Sequence, residues 1–185
     1  EGPRSFANGM EEKFENAGGT LMKETKAIGL FQNQTGRVVG VKAMGKNGMI
    51  SIGAKAVILA CGSFQNNKEL LLRYLSPEAD LTAARCVPYN DGTGLLMGVS
   101  AGATLSRSIG TFYGHLVPWP LVIPQDPDSY EAGDATSFQE LMGNVQQYAP
   151  QSIVVNLNGE RFVDESLMDE WINQMTARQP KARAI

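Results

Sequence analysis

Residues 56–64 read "AVILACGSF". Five apolar residues run without alternation into Cys61, Gly62 and Ser63. An unbroken apolar run of that length predicts a strand buried on both faces, as in a parallel sheet. A strand that ends on small residues marks the carboxyl edge where α/β sheets take ligands. Gly62 has no Cβ, so a ligand can approach its backbone. The N–H groups of a helix start just behind it would favour an anionic group such as a pyrophosphate. The competing reading is that Gly62 only turns the chain between two packed elements, and the spacing alone does not separate the two.

Upstream of this stretch, Phe6, Met10 and Phe14 recur every four residues in 4–17, which predicts a helix stopped by Gly18 and Gly19. Residues 20–60 then read as a β-meander, with turns at "QTGR" and "GKNG" and one wet face, leading into the apolar strand 56–60. Downstream, "QNNKELLLRYL" predicts a short helix capped by Asn66 or Asn67. A second helix is expected over 95–102, stopped at Gly102. Five prolines between 118 and 150 predict irregular structure across 104–151. "SIVVNLNGERFVDES" reads as a strand, a turn and a short strand, and "DEWINQMTARQ" as a final helix.

The 185 residues carry 16 basic and 19 acidic side chains, a net charge of −3. No basic field for nucleic acid or an anionic membrane is expected from that balance. Cys61 and Cys86 form neither a disulfide framework nor a metal-ligand spacing, so no metal site is expected. Apolar runs are far below membrane-spanning length, and no targeting signal opens the sequence. Cytoplasmic location is the default expectation, with export left open. The first residue is not Met and the last residues stop in mid-element, so the sequence reads as an internal piece of a longer protein.

A second glycine-rich stretch, "YNDGTGLLM", places Gly92 and Gly94 just ahead of a helix. Two such stretches, each before a helix, point toward a nucleotide-type cofactor, although two glycines beside an Asp also make an ordinary turn. His115, the one histidine, stands between aromatics and prolines in "FYGHLVPWP". It is a candidate for proton transfer or substrate anchoring, against the plain alternative of a packed side chain. Arg161 in "GERFVDES" could grip a carboxylate through two parallel hydrogen bonds. A salt bridge to Glu160, Asp164 or Glu165 is the first expectation for it. No nucleophile elbow or triad spacing is present.

Three stretches in order, "AKAVILACGSFQNNKELLLRYLSP", "PYNDGTGLLMGVSAGATL" and "IVVNLNGERFVDES", resemble the FAD-binding fumarate reductase/succinate dehydrogenase flavoprotein superfamily. Within it they are similar to the branch of tricarballylate dehydrogenase-like and 3-ketosteroid dehydrogenase-like enzymes. The resemblance implies a mixed α/β fold: a partial Rossmann-like FAD-binding domain with a β-meander, over 1–113, and a truncated capping domain over 114–185. It implies FAD as the cofactor, contacted by Ala27, Ala60, Cys61, Gly62 and Ser63 on one side and by Asn90, Gly92, Thr93 and Gly94 on the flavin side. It implies His115 and Arg161 as substrate-binding residues. The family's amino-terminal G-x-G-x-x-G element lies outside these residues, so the piece alone is expected to be inactive and without FAD.

The implied reaction is hydride transfer between flavin and a C–C bond of a small carboxylate or enone, with an electron-transfer partner in prospect. The alternative is a non-catalytic binding or scaffold module that keeps the fold. Two departures bear on this. The family's Asp in "N-T-G-D-G" is Thr93, with Asp91 two residues earlier. The family's proton-donating arginine, eight residues after the "R-F" arginine, is Asp169. Plain fumarate reduction is therefore not expected, and a different substrate or a different acid is.

Overall fold

The computed structural model describes residues 3–84, 86–119 and 148–185. It divides into two compact units, Glu1–Ala60 and Cys61–Ile185.

The first unit begins with α1 (Pro3–Asn16). Gly18, at φ +85°, closes it with a hydrogen bond from its N–H to the Glu15 carbonyl. Positive φ is nearly free for glycine and unfavourable for other residues, which is why the helix ends there. Three strands follow, β1 (Lys26–Gln32), β2 (Val38–Gly45) and β3 (Gly48–Gly53), as an antiparallel meander in the order β1-β2-β3. Asn33 shapes the first turn, its Oδ1 accepting from the N–H groups of Thr35 and Arg37 at 3.0 Å each. Gly48, at φ +109°, closes the second. Burial alternates along β3, as the one-wet-face pattern predicts. Ala27 is half-buried in β1, opposite the buried Ala43 of β2.

Residues 56–60 correct the sequence-based expectation. They form no strand, and Ile58 is 90% exposed. Among the described residues the only sheet is the antiparallel meander. Apolar composition favours a strand only where a neighbour completes its hydrogen-bond ladder, and no described strand does so here. The fold is mixed α and β without a parallel sheet among the described residues.

The second unit holds α2 (Lys68–Tyr74), α3 (Thr93–Ser100) and α4 (Met168–Thr176), with 3-10 turns at Ala79–Leu81, Ala149–Gln151, Glu165–Leu167 and Pro180–Ala182. Asn67 caps α2 through its Oδ1, which accepts from Leu70 N–H at 3.1 Å. Two small cores carry the unit. Phe64, Leu70, Leu71 and Ala79 form one, and Val154, Val163 and Ile172 form the other. Ser76 joins the segments that follow α2 and α4: its buried hydroxyl donates to the Ala177 carbonyl at 2.6 Å.

The α3 helix starts two residues earlier than the apolar pattern suggests. Asp91 Oδ1 accepts from both the N–H and the hydroxyl of Thr93, at 2.9 and 2.6 Å, and so fixes the first turn. The expected strand–turn–strand near 152–166 contracts to single bridges, Val155 with Arg161 and Asn156 with Ala184. Asn156 closes the turn by accepting from the N–H groups of Asn158 and Glu160. Asp164 then caps a 3-10 turn through Ser166 and ends the extended course. The part of the irregular segment at 120–147 lies outside the described residues.

Candidate active site

The two glycine-rich stretches of the sequence meet in space. A Cβ on Gly62, at φ +73°, would lie 2.2 Å from Asn90 Oδ1. A Cβ on Gly92, at φ +82°, would lie 2.5 Å from a Leu70 methyl, and one on Gly94 would lie 2.7 Å from the Cβ of Cys61. Backbone bonds complete the joint: Gly92 N–H donates to the Ser63 carbonyl at 3.1 Å, and Asn66 N–H to the Asn90 carbonyl at 3.0 Å. Residues 61–63 and 90–94 are thus one piece of structure. Gly92 and Gly94 are buried by side chains of this same chain. Their missing side chains serve packing, whereas Cys61, Gly62 and Ser63 are exposed. That exposed, partly Cβ-free ledge is the part that fits a large flat cofactor with an anionic linker. Ala27 and Ala60 lie in the other compact unit.

A cleft of about 970 Å³ opens in the second unit. Its walls are mainly apolar, with Leu71, Leu116, Val154 and Trp119 among them, and Arg183 stacks on the Trp119 ring with its guanidinium carbon 3.8 Å from the ring centre. His115 lines this cleft. Its Nδ1–H donates to Asp169 Oδ2, with side chains 17% and 10% exposed. The Tyr113 ring and the imidazole pack edge to face, their centres 5.1 Å apart at 82°.

The helix α4 holds this segment at three successive residues. Asp169 and Asn173 lie four apart on one face of α4, one turn from each other. Asn173 Nδ2 donates to the Gly114 carbonyl at 2.6 Å, Asp169 takes the His115 ring, and the Leu116 N–H points at Asp169 Oδ1 at 3.5 Å. Asn173 Oδ1 is buried with no hydrogen-bond partner. At the first residue of α4, Met168 sits at φ +70°, a conformation that side chains resist.

Arg161 is placed elsewhere. Its Nε donates to both carboxylate oxygens of Glu165 at 3.2 Å, its Nη2 donates to Oε2 at 2.5 Å, and it does not line the cleft. Glu165 is buried and also accepts from Val154 N–H at 2.8 Å. The Arg161 guanidinium first, and then this N–H, hold its carboxyl down at about 2. Asp164, bonded to the Ser166 hydroxyl and N–H, is likewise held below the usual carboxylate range. Among the described residues no three His, Cys, Asp or Glu side chains could hold a metal, and no helix is long and apolar enough to cross a membrane.

Sequence reading singled out His115 and saw Asp169 only as a departure from a motif. It missed Asn173. The available signal was the spacing of Asp169 and Asn173, which puts two polar side chains on the inner face of an amphipathic helix.

Comparison with known proteins gives a consistent picture. A family model described as an FAD binding domain matches residues 3–185. A vinyl phenol reductase of Lactiplantibacillus plantarum is 28% identical over 167 residues, covering 86% of this chain and 31% of that protein. A probable fumarate reductase of Shewanella frigidimarina is 34% identical over 157 residues, covering 84% of this chain and 24% of that protein. In fold, the chain matches a 3-ketosteroid-delta4-(5alpha)-dehydrogenase from Rhodococcus jostii with a TM-score of 0.62 at 23% identity, covering 90% of this chain and 29% of that one. The chain therefore spans about a quarter to a third of the length of these two curated relatives.

Proposed function

The chain belongs to the FAD binding domain family, within the fumarate reductase/succinate dehydrogenase flavoprotein superfamily, and on that premise we propose that the protein exchanges a hydride with a C–C bond of a small carboxylate or enone. FAD is the family's cofactor, and when bound it supplies the two-electron chemistry. The exposed ledge Cys61–Ser63 would hold it through backbone contacts, with residues 90–94 supporting that ledge from behind. In this reading residues 1–113 serve the cofactor and 114–185 cap the substrate.

The observation that carries the reading is His115, anchored on Asp169 in the wall of an apolar cleft. Apolar walls exclude water from a planar substrate, and the imidazole meets its carbonyl or carboxylate oxygen. Negative charge develops on that oxygen as hydride is added, and an N–H donor aimed there stabilises it. Arg161, committed to Glu165, leaves this role to His115.

The test is anaerobic. The flavin-loaded protein, reduced chemically, is mixed with a panel of unsaturated carboxylates and enones while flavin absorbance is followed. Reoxidation by members of the panel, but not by their saturated counterparts, is expected. A reduced flavin that no member reoxidises, in a protein that still binds them, would instead identify a binding module without turnover.

A further inference from the structure

We infer that His115 and Asp169 form a proton-transfer pair, in which Nε2 of His115 carries the proton and Asp169 is the positioning residue. The inference rests on the reaction proposed above and deepens it: the Nε2–H that meets the carbonyl or carboxylate end of the substrate is the proton delivered to the carbon beside it.

A carboxylate only accepts hydrogen bonds, so the ring nitrogen facing Asp169 must carry hydrogen. With Nδ1–H so held, Nε2 is an acceptor in the neutral ring and a donor in the protonated one. Among the described residues Nε2 has no hydrogen-bond partner. The ring cannot turn away without losing Asp169, and the Tyr113 ring packs against it. Asn173 and the Leu116 N–H pin the backbone on either side. Asp169 itself does not line the cleft, so its carboxylate stands behind the imidazole. The described lining contains no Asp or Glu. His115 is the imidazole of that lining, a side chain that can both give and take a proton.

The step balances. With a hydride from reduced FAD added at one carbon of the C=C bond, Nε2–H gives its proton to the neighbouring carbon. The π electron pair becomes the new C–H bond, the ring is left neutral, and solvent entering the cleft reprotonates it. Dehydrogenation runs the same transfers backward.

The chain has one histidine, so imidazole nitrogen-15 signals of the 185-residue protein belong to His115 alone. In the neutral ring the Nδ1–H form is expected to dominate, and Asp169→Asn or Asp169→Ala to shift the ratio toward Nε2–H by about tenfold or more. A wild-type ring in the Nε2–H form overturns the pair without any variant having to fold. In the flavin-loaded protein, Asp169→Asn is expected to lower kcat by roughly ten- to a thousandfold with KM little changed, in the range of general acid catalysis. Asp169→Glu should restore part of the loss, and His115→Gln combined with Asp169→Asn should add little to either alone. An altered tautomer with kcat unchanged overturns the proton role. Wild-type protein that turns over no member of the substrate panel overturns the reaction itself, and an Nδ1–H ring would then be a structural pair only.

Discussion

Gly94 packs so closely on Cys61 that it has no room for a side chain: a Cβ on Gly94 would lie 2.7 Å from the Cys61 Cβ and 3.0 Å from its Sγ. The Cβ of Cys61 is fixed to its backbone, so it cannot swing aside. The small residues that a cofactor reading would reserve for a ligand are here also the joint between two loops.

Gly94→Ala is expected to destabilise the second unit by about 1–3 kcal/mol, as overpacking does in close-packed interiors. Cys61→Gly removes the obstructing atoms and should recover much of that loss in the double variant. Urea unfolding of the four proteins gives the coupling directly, and simple additivity would contradict the contact.

Gly62 is strained in a different way. Its φ of +73° alone would disfavour alanine by about 1–2 kcal/mol. The 2.2 Å approach to Asn90 Oδ1 adds a clash with the end of a flexible side chain. Asn90→Ala should therefore relieve only part of the Gly62→Ala loss. Complete rescue would mean that the backbone conformation carries no penalty.

Ser76→Ala leaves the buried Ala177 carbonyl without its hydroxyl partner. The expected loss is about 1–3 kcal/mol, the usual range for an orphaned buried acceptor. Thermal unfolding checks this. A variant as stable as wild type would show that the bond contributes nothing net.

Acid stability should depend on Glu165. Its folded value of about 2 lies below the ordinary 4.5, so its ionised form favours folding. That contribution is complete above about 4.5 and fades as pH falls toward 2. Glu165→Gln should lower stability at neutral pH and flatten the acid limb of the stability curve. A Gln variant with an unchanged acid limb would contradict it.

Met168 holds φ +70° immediately ahead of Asp169. Glycine adopts that conformation freely, so Met168→Gly should stabilise by about 1 kcal/mol once the entropy of the added glycine is offset. Loss of stability would mean that the methionine side chain matters more than its backbone. If the strain serves to aim Asp169, the same variant should also weaken the Nδ1–H preference of His115.

What was legible in the sequence was local. The helix start at Asn67, the stop at Gly18 and the turns at Asn33 and Gly48 follow from side chains bonding to their own neighbourhood, and composition records that. The run at 56–60 was misread because a strand depends on a partner that a linear pattern does not contain. Asp169 was visible only as a substitution. Its meeting with His115 spans 54 residues of chain, and no periodicity encodes such a pairing. The glycines stand out in the sequence, yet what fills the space of Gly92 and Gly94 is Leu70 and Cys61.

The meander and the second unit also differ in how soon their contacts can form. In the first unit Lys26 pairs with Met44 and Gly40 with Gly53, so each ladder closes a short loop. The second unit is joined by Ser76 and Ala177 across 101 residues and by His115 and Asp169 across 54. Closing long loops is entropically expensive and slows the search. Refolding should therefore protect the amides of β1–β3 first and those of α4 late, so the paired histidine is assembled near the end of the folding reaction.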